Sequence, residues 1–178
     1  MKKRGSLEIP WESPGEWQGV NTALAGQVQR FGAELETGSR RAREIQALLA
    51  TLFPLMDELC AGTCPACAAP CCEVAVIWYN YADLLFLHLN GLRGPEAQPM
   101  TDSDAMCRYS GARGCTLPRM VRPWICTWYV CPPQMAMVRE KGRAFRENFD
   151  RVVGEIKSKR KEMADIFVRV TSGSGSDI

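Results

Sequence analysis

The chain has 178 residues, of which 46% are hydrophobic and 24% are charged. This length suits one domain with appendages, and this composition suits a protein with a packed core, so wholesale disorder is excluded. A formal net charge of +2 indicates neither a strongly acidic nor a strongly basic partner. The unusual feature is cysteine, because nine cysteines accompany a single histidine.

The first flank of the chain, which precedes the first cysteine at Cys60, is predicted to be helical. Apolar residues recur every three or four positions between Val20 and Leu59, so we expect one long helical arm over residues 16–59. Gly38 and Ala42 fall on the same stripe and indicate a close helix contact, unless the helix stops and restarts at Gly38. An N-terminal arm of residues 1–15 precedes this helix. Where the two meet, Ser13 and Glu16 have the pattern of a capping box, and Pro14 stands at the first helical position.

Two segments in the middle of the chain have recognisable patterns. Residues 74–78 could form a short strand or only a buried segment. Asn80 precedes an apolar run that ends near Asn90, so we expect a capped and buried helix there. Asp83 would serve in this cap or support a metal ligand, whereas His88 is expected in the core or at its boundary rather than at a metal.

The second flank also lacks cysteine and is predicted to form one long helix. Two adjacent prolines mark its start, and apolar residues follow at near-heptad spacing from Phe145 to Val170. We expect this helix over residues 133–170, followed by a disordered tail over residues 171–178. Charges of its basic stretch fall between the apolar positions, as on a solvated helix face, so nucleic-acid binding is not favoured.

All nine cysteines lie between the two flanks, in two groups along the chain. Spacings of two to four residues let one turn of backbone present several thiolates to one metal ion. Cys71 and Cys72 are adjacent, so we expect them to serve two metals, a cluster, or one metal and one core position. The first group comprises Cys60, Cys64, Cys67, Cys71 and Cys72, and the second comprises Cys107, Cys115, Cys126 and Cys131.

These residues resemble the YkgJ-like CxxCxxCC family, whose members are described as zinc- or iron-chelating proteins and are related to the cysteine-cluster domain of flagellin lysine N-methylases. The family pattern continues with an aspartate-containing helix, Gly-Cys and Arg-Pro, which Asp83, Gly114 and Arg122-Pro123 match here. The resemblance covers about residues 60–132 and implies metal binding. The implied ligands are Cys64, Cys67, Cys71, Cys72, Cys107, Cys115, Cys126 and Cys131.

One spacing departs from the family pattern. Residues 68–70 place three positions between Cys67 and Cys71, where the pattern has two. The ligand register of the first group is therefore open, and Cys60 could take a family position.

The residues identify the kind of metal less directly than they identify its ligands. All-thiolate sites suit both zinc and iron–sulfur clusters. Bulky side chains between Trp124 and Val130 would shield a cluster from water, which favours an Fe–S cluster or iron, with Zn²⁺ as the alternative.

The N-terminus is basic but has no apolar stretch behind it, so we expect no secretory signal. Apolar runs such as residues 84–89 are much shorter than the roughly 20 residues of a membrane span. We therefore expect a cytoplasmic protein, with no membrane association and with reduced thiols.

Together these patterns predict a mainly α protein. Two long antiparallel flanking helices would carry a compact cysteine-rich metal-binding head over residues 60–132. The expected function is cysteine-ligated binding of iron, as an Fe–S cluster, or of zinc, with no reaction assigned. One alternative is an accessory or catalytic part of a protein N-methyltransferase system. Another is a zinc-stapled interaction module, whose long helices would bind a protein partner or form a homodimer.

Overall fold

The structure is a computed structural model that describes residues 8–111 and 114–173, and it confirms a mainly α protein. Most of the described residues are helical, and the strands among them form one antiparallel two-stranded hairpin. The helices are α1 (Pro14–Arg30), α2 (Glu36–Thr63), α3 (Cys71–Val74), α4 (Tyr81–Leu89), α5 (Ile125–Trp128), α6 (Pro132–Glu140) and α7 (Arg143–Gly173). The strands are β1 (Ser110–Gly111) and β2 (Gly114–Cys115), and short 3-10 turns cover Cys64–Ala66 and Arg119–Val121.

The first flank is divided into two helices, so the prediction of one continuous helix over residues 16–59 is wrong. A turn from Phe31 to Leu35 separates α1 from α2, before the predicted alternative break at Gly38. Phe31 and Leu35 are both buried in the core. Because α1 packs against α4 whereas α2 packs mainly against α7, tertiary packing decides where the helix is interrupted.

The second flank is also divided, which corrects the single helix predicted for residues 133–170. Helix α6 ends before Gly142, whose φ of +91° lies in the left-handed region that favours glycine. Helix α7 then continues to Gly173, so residues 171–173 of the predicted disordered tail are helical. Residues 174–178 of that tail, like residues 1–7 of the N-terminal arm, lie outside the described residues.

Helices α2 and α7 form the main helix–helix contact. Gly38 lies within this contact, because a Cβ atom at its position would be 3.5 Å from Ile166 Cγ2. The prediction that a small residue permits close approach is therefore confirmed. Further along the same contact, Glu44 of α2 pairs with Lys159 of α7 at 2.8 Å.

The two predicted capping boxes are confirmed. Ser13 and Glu16 exchange hydrogen bonds at the start of α1, where Pro14 occupies the first turn. Asn80 and Asp83 do the same at the start of α4. No strand forms over residues 74–78, which run from the end of α3 into an extended segment; the alternative of a buried segment fits Ile77.

A buried ion pair connects α4 to α7. Asp83 and Arg160 are 4% and 7% exposed, and Arg160 Nη2 donates to Asp83 Oδ1 at 2.6 Å. The same oxygen accepts the backbone N–H of Trp124 at 3.0 Å, and the Arg160 guanidinium lies 5.3 Å from the centre of the Trp124 ring. Burial raises the pKa of the Asp83 carboxyl, and the charge of Arg160 opposes that rise. This contact joins the long helices to the segment that leads into α5.

The sequence Glu36–Ala66, which includes α2, meets the length and composition of a membrane span, with a mean hydropathy of 1.3 in its best window. A single helix of this kind is a weak indicator, because core helices of soluble proteins meet the same test. In this fold α2 contributes Ile45, Leu49 and Leu59 to the protein core.

His88 lies half-buried on α4 and makes a contact with α1, as expected for a satisfied histidine at the boundary of the core. Its Nε2 atom is 3.0 Å from Asn21 Oδ1. The Asn21 side-chain nitrogen donates to the carbonyl of Trp17, so its oxygen is free to accept the Nε2–H of His88. Burial lowers the pKa of His88, because the charged imidazolium is poorly solvated there.

We expect the stability of the protein to fall in mild acid because of His88. Because the folded-state pKa of His88 is lowered, the stability contribution is complete above the unfolded pKa of about 6.5 and is lost as the pH falls through the folded pKa. Urea unfolding between pH 7.5 and 5 measures this loss. Since His88 is the sole histidine, His88→Asn should flatten the profile near pH 6, and an unchanged slope would contradict the assignment.

Candidate metal centre

All nine cysteines are described, and each is a free thiol. They come from the end of α2, the segment around α3, the β-hairpin, α5 and the residue before α6. The fold distributes them differently from the two groups along the sequence. We name the two sets of neighbours the inner cluster and the outer cluster.

The inner cluster comprises Cys72, Cys107, Cys115 and Cys126. Two backbone contacts build it: the N–H of Cys107 donates to the carbonyl of Cys72 at 3.1 Å, and Cys115 pairs with Ser110 across the hairpin. Cys107 is buried, and the other three thiols are partly buried. Arg122 holds the segment after the hairpin, because its guanidinium donates to the carbonyls of Leu117 at 2.8 Å and Cys115 at 3.3 Å.

The thiols of the inner cluster disfavour ionisation of one another. Burial raises the pKa of Cys72 to about 11, and the nearby sulfurs of Cys107 and Cys115 add to the rise. Burial also raises the pKa of Cys126, again with Cys115 and Cys72 as the next causes. A bound cation would reverse this effect, since thiolates bind metals and neutral thiols do not.

The outer cluster comprises Cys60, Cys64, Cys71 and Cys131, with Cys67 at its edge. Partial burial raises the pKa of Cys64, with Cys60 the next cause and Cys131 a smaller one. Partial burial raises the pKa of Cys71 too, and Cys131 and Cys67 follow as causes. Cys131 therefore neighbours the first group of the sequence, although it closes the second group along the chain.

Gln134 is the residue that the sequence analysis missed. It is 4% exposed, and its side-chain nitrogen lies 3.7 Å from Cys60 Sγ and 3.9 Å from Cys64 Sγ. Its oxygen accepts the backbone N–H of Cys131 at 3.2 Å. The spacing Cys-x-x-Gln at the start of a predicted helix is a capping-box pattern with cysteine as the cap, and this signal could have identified it.

Other predicted residues lie apart from the sulfurs or act through the backbone. His88 contacts Asn21 on α1, and Asp83 caps α4 and binds Arg160. Arg122 contacts the carbonyl oxygens of Leu117 and Cys115, so it secures the segment that follows the hairpin. The adjacent residues Cys71 and Cys72 have different neighbours, in the outer and the inner cluster respectively.

The donor chemistry of these clusters fits a thiophilic cation. Over residues 8–111 and 114–173, no group of three or more His, Cys, Asp or Glu side chains is already arranged to hold a metal ion. The donors that the fold brings near one another are nevertheless all free thiols, which zinc and iron–sulfur clusters accept. The residues therefore fit such a group in donor type.

Three comparisons with known proteins complete the description of the site. A scan against protein-family models, a search of curated proteins and a search of solved structures each returned no match for this chain.

Proposed function

We propose that this protein binds iron, as an Fe–S cluster, or zinc through its cysteines, as the resemblance to the YkgJ-like family implies, with no reaction assigned. The observation that carries the proposal is the gathering of free thiols from distant parts of the chain into two clusters. The ligands that the resemblance implies are Cys64, Cys67, Cys71, Cys72, Cys107, Cys115, Cys126 and Cys131. Free thiols also suit a reducing compartment such as the cytoplasm.

Energetics support a cation in the inner cluster. Burial and neighbouring sulfur atoms raise the pKa of Cys72 and of Cys126, so these sulfurs are unfavourable neighbours once any of them ionises. A metal ion replaces the protons and converts this repulsion into attraction, so metal binding releases protons and stabilises the fold. The ion would connect the start of α3, the hairpin and α5, which are otherwise joined by loops.

The architecture we propose follows from the same contacts. Helices α2 and α7 form an antiparallel arm, and residues 60–132 form a compact head at the end of α2. Asp83, Arg160 and Trp124 connect this head to the arm. The Trp124 and Trp128 rings lie 5.8 Å apart and flank Cys126 in the sequence. Their bulk would limit the access of water and oxidants to a cluster, which favours iron over zinc.

Anaerobic purification followed by elemental analysis tests the proposal. We expect metal in whole-number stoichiometry with the chain, and a brown sample with broad visible absorption if the metal is an Fe–S cluster. A colourless sample with stoichiometric zinc would overturn the preference for iron. A metal-free sample whose thiols all react rapidly with a maleimide would overturn the function itself.

A further inference from the structure

The outer cluster carries a more specific inference, which rests on the proposed function. We propose that Cys60, Cys64, Cys71 and Cys131 bind one metal ion, and that Cys60 takes the position that the sequence pattern assigns to Cys67. Gln134 is the positioning residue of this site. The inner cluster then holds a second ion, and Cys67 is the cysteine that binds none.

Cys60 faces the outer cluster rather than the core. The neighbouring Leu59 is completely buried among the apolar side chains, whereas Cys60 is half-buried on another side of α2. Its sulfur accepts from Gln134 Nε2 at 3.7 Å and also contacts the side chain of Arg119, which pairs with Asp57. A core cysteine would not be surrounded by an amide and a guanidinium, which stabilise negative charge on sulfur.

The orientation of the Gln134 amide is fixed by its surroundings. The oxygen accepts the backbone N–H of Cys131, so the NH₂ group must face the opposite side. There it donates to Thr63 Oγ1 at 3.2 Å and approaches the sulfur atoms of Cys60 and Cys64. A buried amide directed at two sulfur atoms is the kind of outer contact that orients thiolate ligands and holds their charge.

Cys131 belongs to the same site through the start of α6. Its sulfur accepts the backbone N–H of Gln134, and the two prolines that follow Cys131 have no N–H of their own. The positive end of the helix dipole therefore acts on this sulfur as well. Thus the start of α6 supplies one ligand, Cys131. Gln134 of α6 orients two others, Cys60 in α2 and Cys64 in the turn that follows α2.

Cys67 has no described contact with Gln134, unlike Cys60, Cys64 and Cys131. Like Cys64 and Cys71 it is exposed, and it follows the 3-10 turn Cys64–Ala66, where its N–H donates to the carbonyl of Cys64 at 3.2 Å. The described contacts of Gln134 reach the sulfur atoms of Cys60 and Cys64 through its side chain and the sulfur atom of Cys131 through its backbone N–H. Cys67 still neighbours Cys71, but Cys60, about one helical turn before Cys64, is the cysteine that shares the Gln134 amide with Cys64.

Matched variants of the full chain test this assignment. After anaerobic purification and desalting, we expect Cys67→Ser to keep the wild-type metal content and Cys60→Ser to lose about half of it. In metal-loaded wild type, maleimide labelling followed by mass spectrometry should modify Cys67 quickly and Cys60 only after the metal is removed. This labelling pattern needs no variant, so it decides the question even if Cys60→Ser fails to fold.

Gln134→Glu tests the positioning role, because glutamate keeps the acceptor for Cys131 and removes the donors to the two sulfurs. We expect the outer site to bind metal about 10- to 100-fold more weakly, with the inner site unchanged. A shift of the sulfur-to-metal absorption after Co²⁺ substitution would identify a direct effect on the ligands. A purely structural glutamine would leave that absorption unchanged.

The outcomes separate the two proposals. Loss of metal in Cys67→Ser with retention in Cys60→Ser would overturn the assignment of Cys60 while leaving metal binding intact. Retention in both variants would overturn it as well. Wild-type protein without any metal would overturn the proposed function, and the assignment with it.

Discussion

Replacing Arg160 by leucine is expected to lower the free energy of unfolding by about 3–5 kcal/mol. The substitution leaves the Asp83 carboxylate buried without its charged partner, and that residue is only 4% exposed. The two remaining hydrogen bonds, from the backbone N–H groups of Asn80 and Trp124, cannot replace a full positive charge. Chemical denaturation of the variant and of wild type, under the same metal-loading conditions, measures the difference.

Two controls give this prediction its specificity. Adding Asp83→Asn to Arg160→Leu removes the unpaired charge. The double variant should regain part of the lost stability, because asparagine is neutral and its oxygen can still accept a backbone hydrogen bond. Arg151→Leu on the same helix removes an exposed arginine paired with Glu155, and we expect a change below about 0.5 kcal/mol. Equal losses in Arg160→Leu and Arg151→Leu would show that burial of the pair has no energetic weight.

If the chain binds metal as proposed, removing the metal is expected to unfold the cysteine-bearing segments around α3, the hairpin and α5 while α2, α4 and α7 remain packed. Helix α4 lies within residues 60–132 but belongs to the main core that α2 and α7 share. Among the other segments, Ile77 and Met100 belong to a small separate apolar cluster with Ile9. Metal binding contributes about 10–16 kcal/mol in small structural zinc domains, so segments with little apolar core of their own would depend on it.

Hydrogen exchange with and without a strong chelator measures this effect. We expect amides between Cys107 and Cys126 to lose protection on metal removal, and those of α7 to keep it. Cys126→Ser should reproduce the loss without a chelator, because it removes a ligand of the inner cluster, whereas the exposed Cys67→Ser is the matched control. Uniform loss of protection across head and arm would contradict a separate, metal-dependent head.

The elements that the sequence predicts well are those set by local chemistry. The caps at Ser13 and Asn80 depend on side chains within four residues, and the structure contains both. The break after α6 also has a local signal in Gly142, which the long apolar repeat of this flank concealed. The break between α1 and α2 has no comparable signal, because it depends on α4 and α7 drawing the two helices to different partners.

The candidate site divides in the same way. Sequence spacing identifies cysteines that are neighbours in space only when they lie within about one helical turn of each other, as Cys60 and Cys64 do. The association of Cys131 with them arises because α6 packs against α2, a contact between residues more than 60 positions apart. The orientation of Gln134 depends on that packing too, so no pattern of cysteines alone could assign its partners.

The short helix α3 has a consequence for how the protein would load metal. Cys71 and Cys72 are neighbours in α3 but adjoin different clusters, and their Cα atoms are about 3.8 Å apart. A four-residue helix has little stability of its own, so an ion on either side would order the backbone that the other ion requires. The α3 backbone therefore loses its conformational entropy only once for the two binding events. If both clusters bind metal as proposed, we expect their occupancy to be cooperative, with each ion raising the affinity for the other by the same factor.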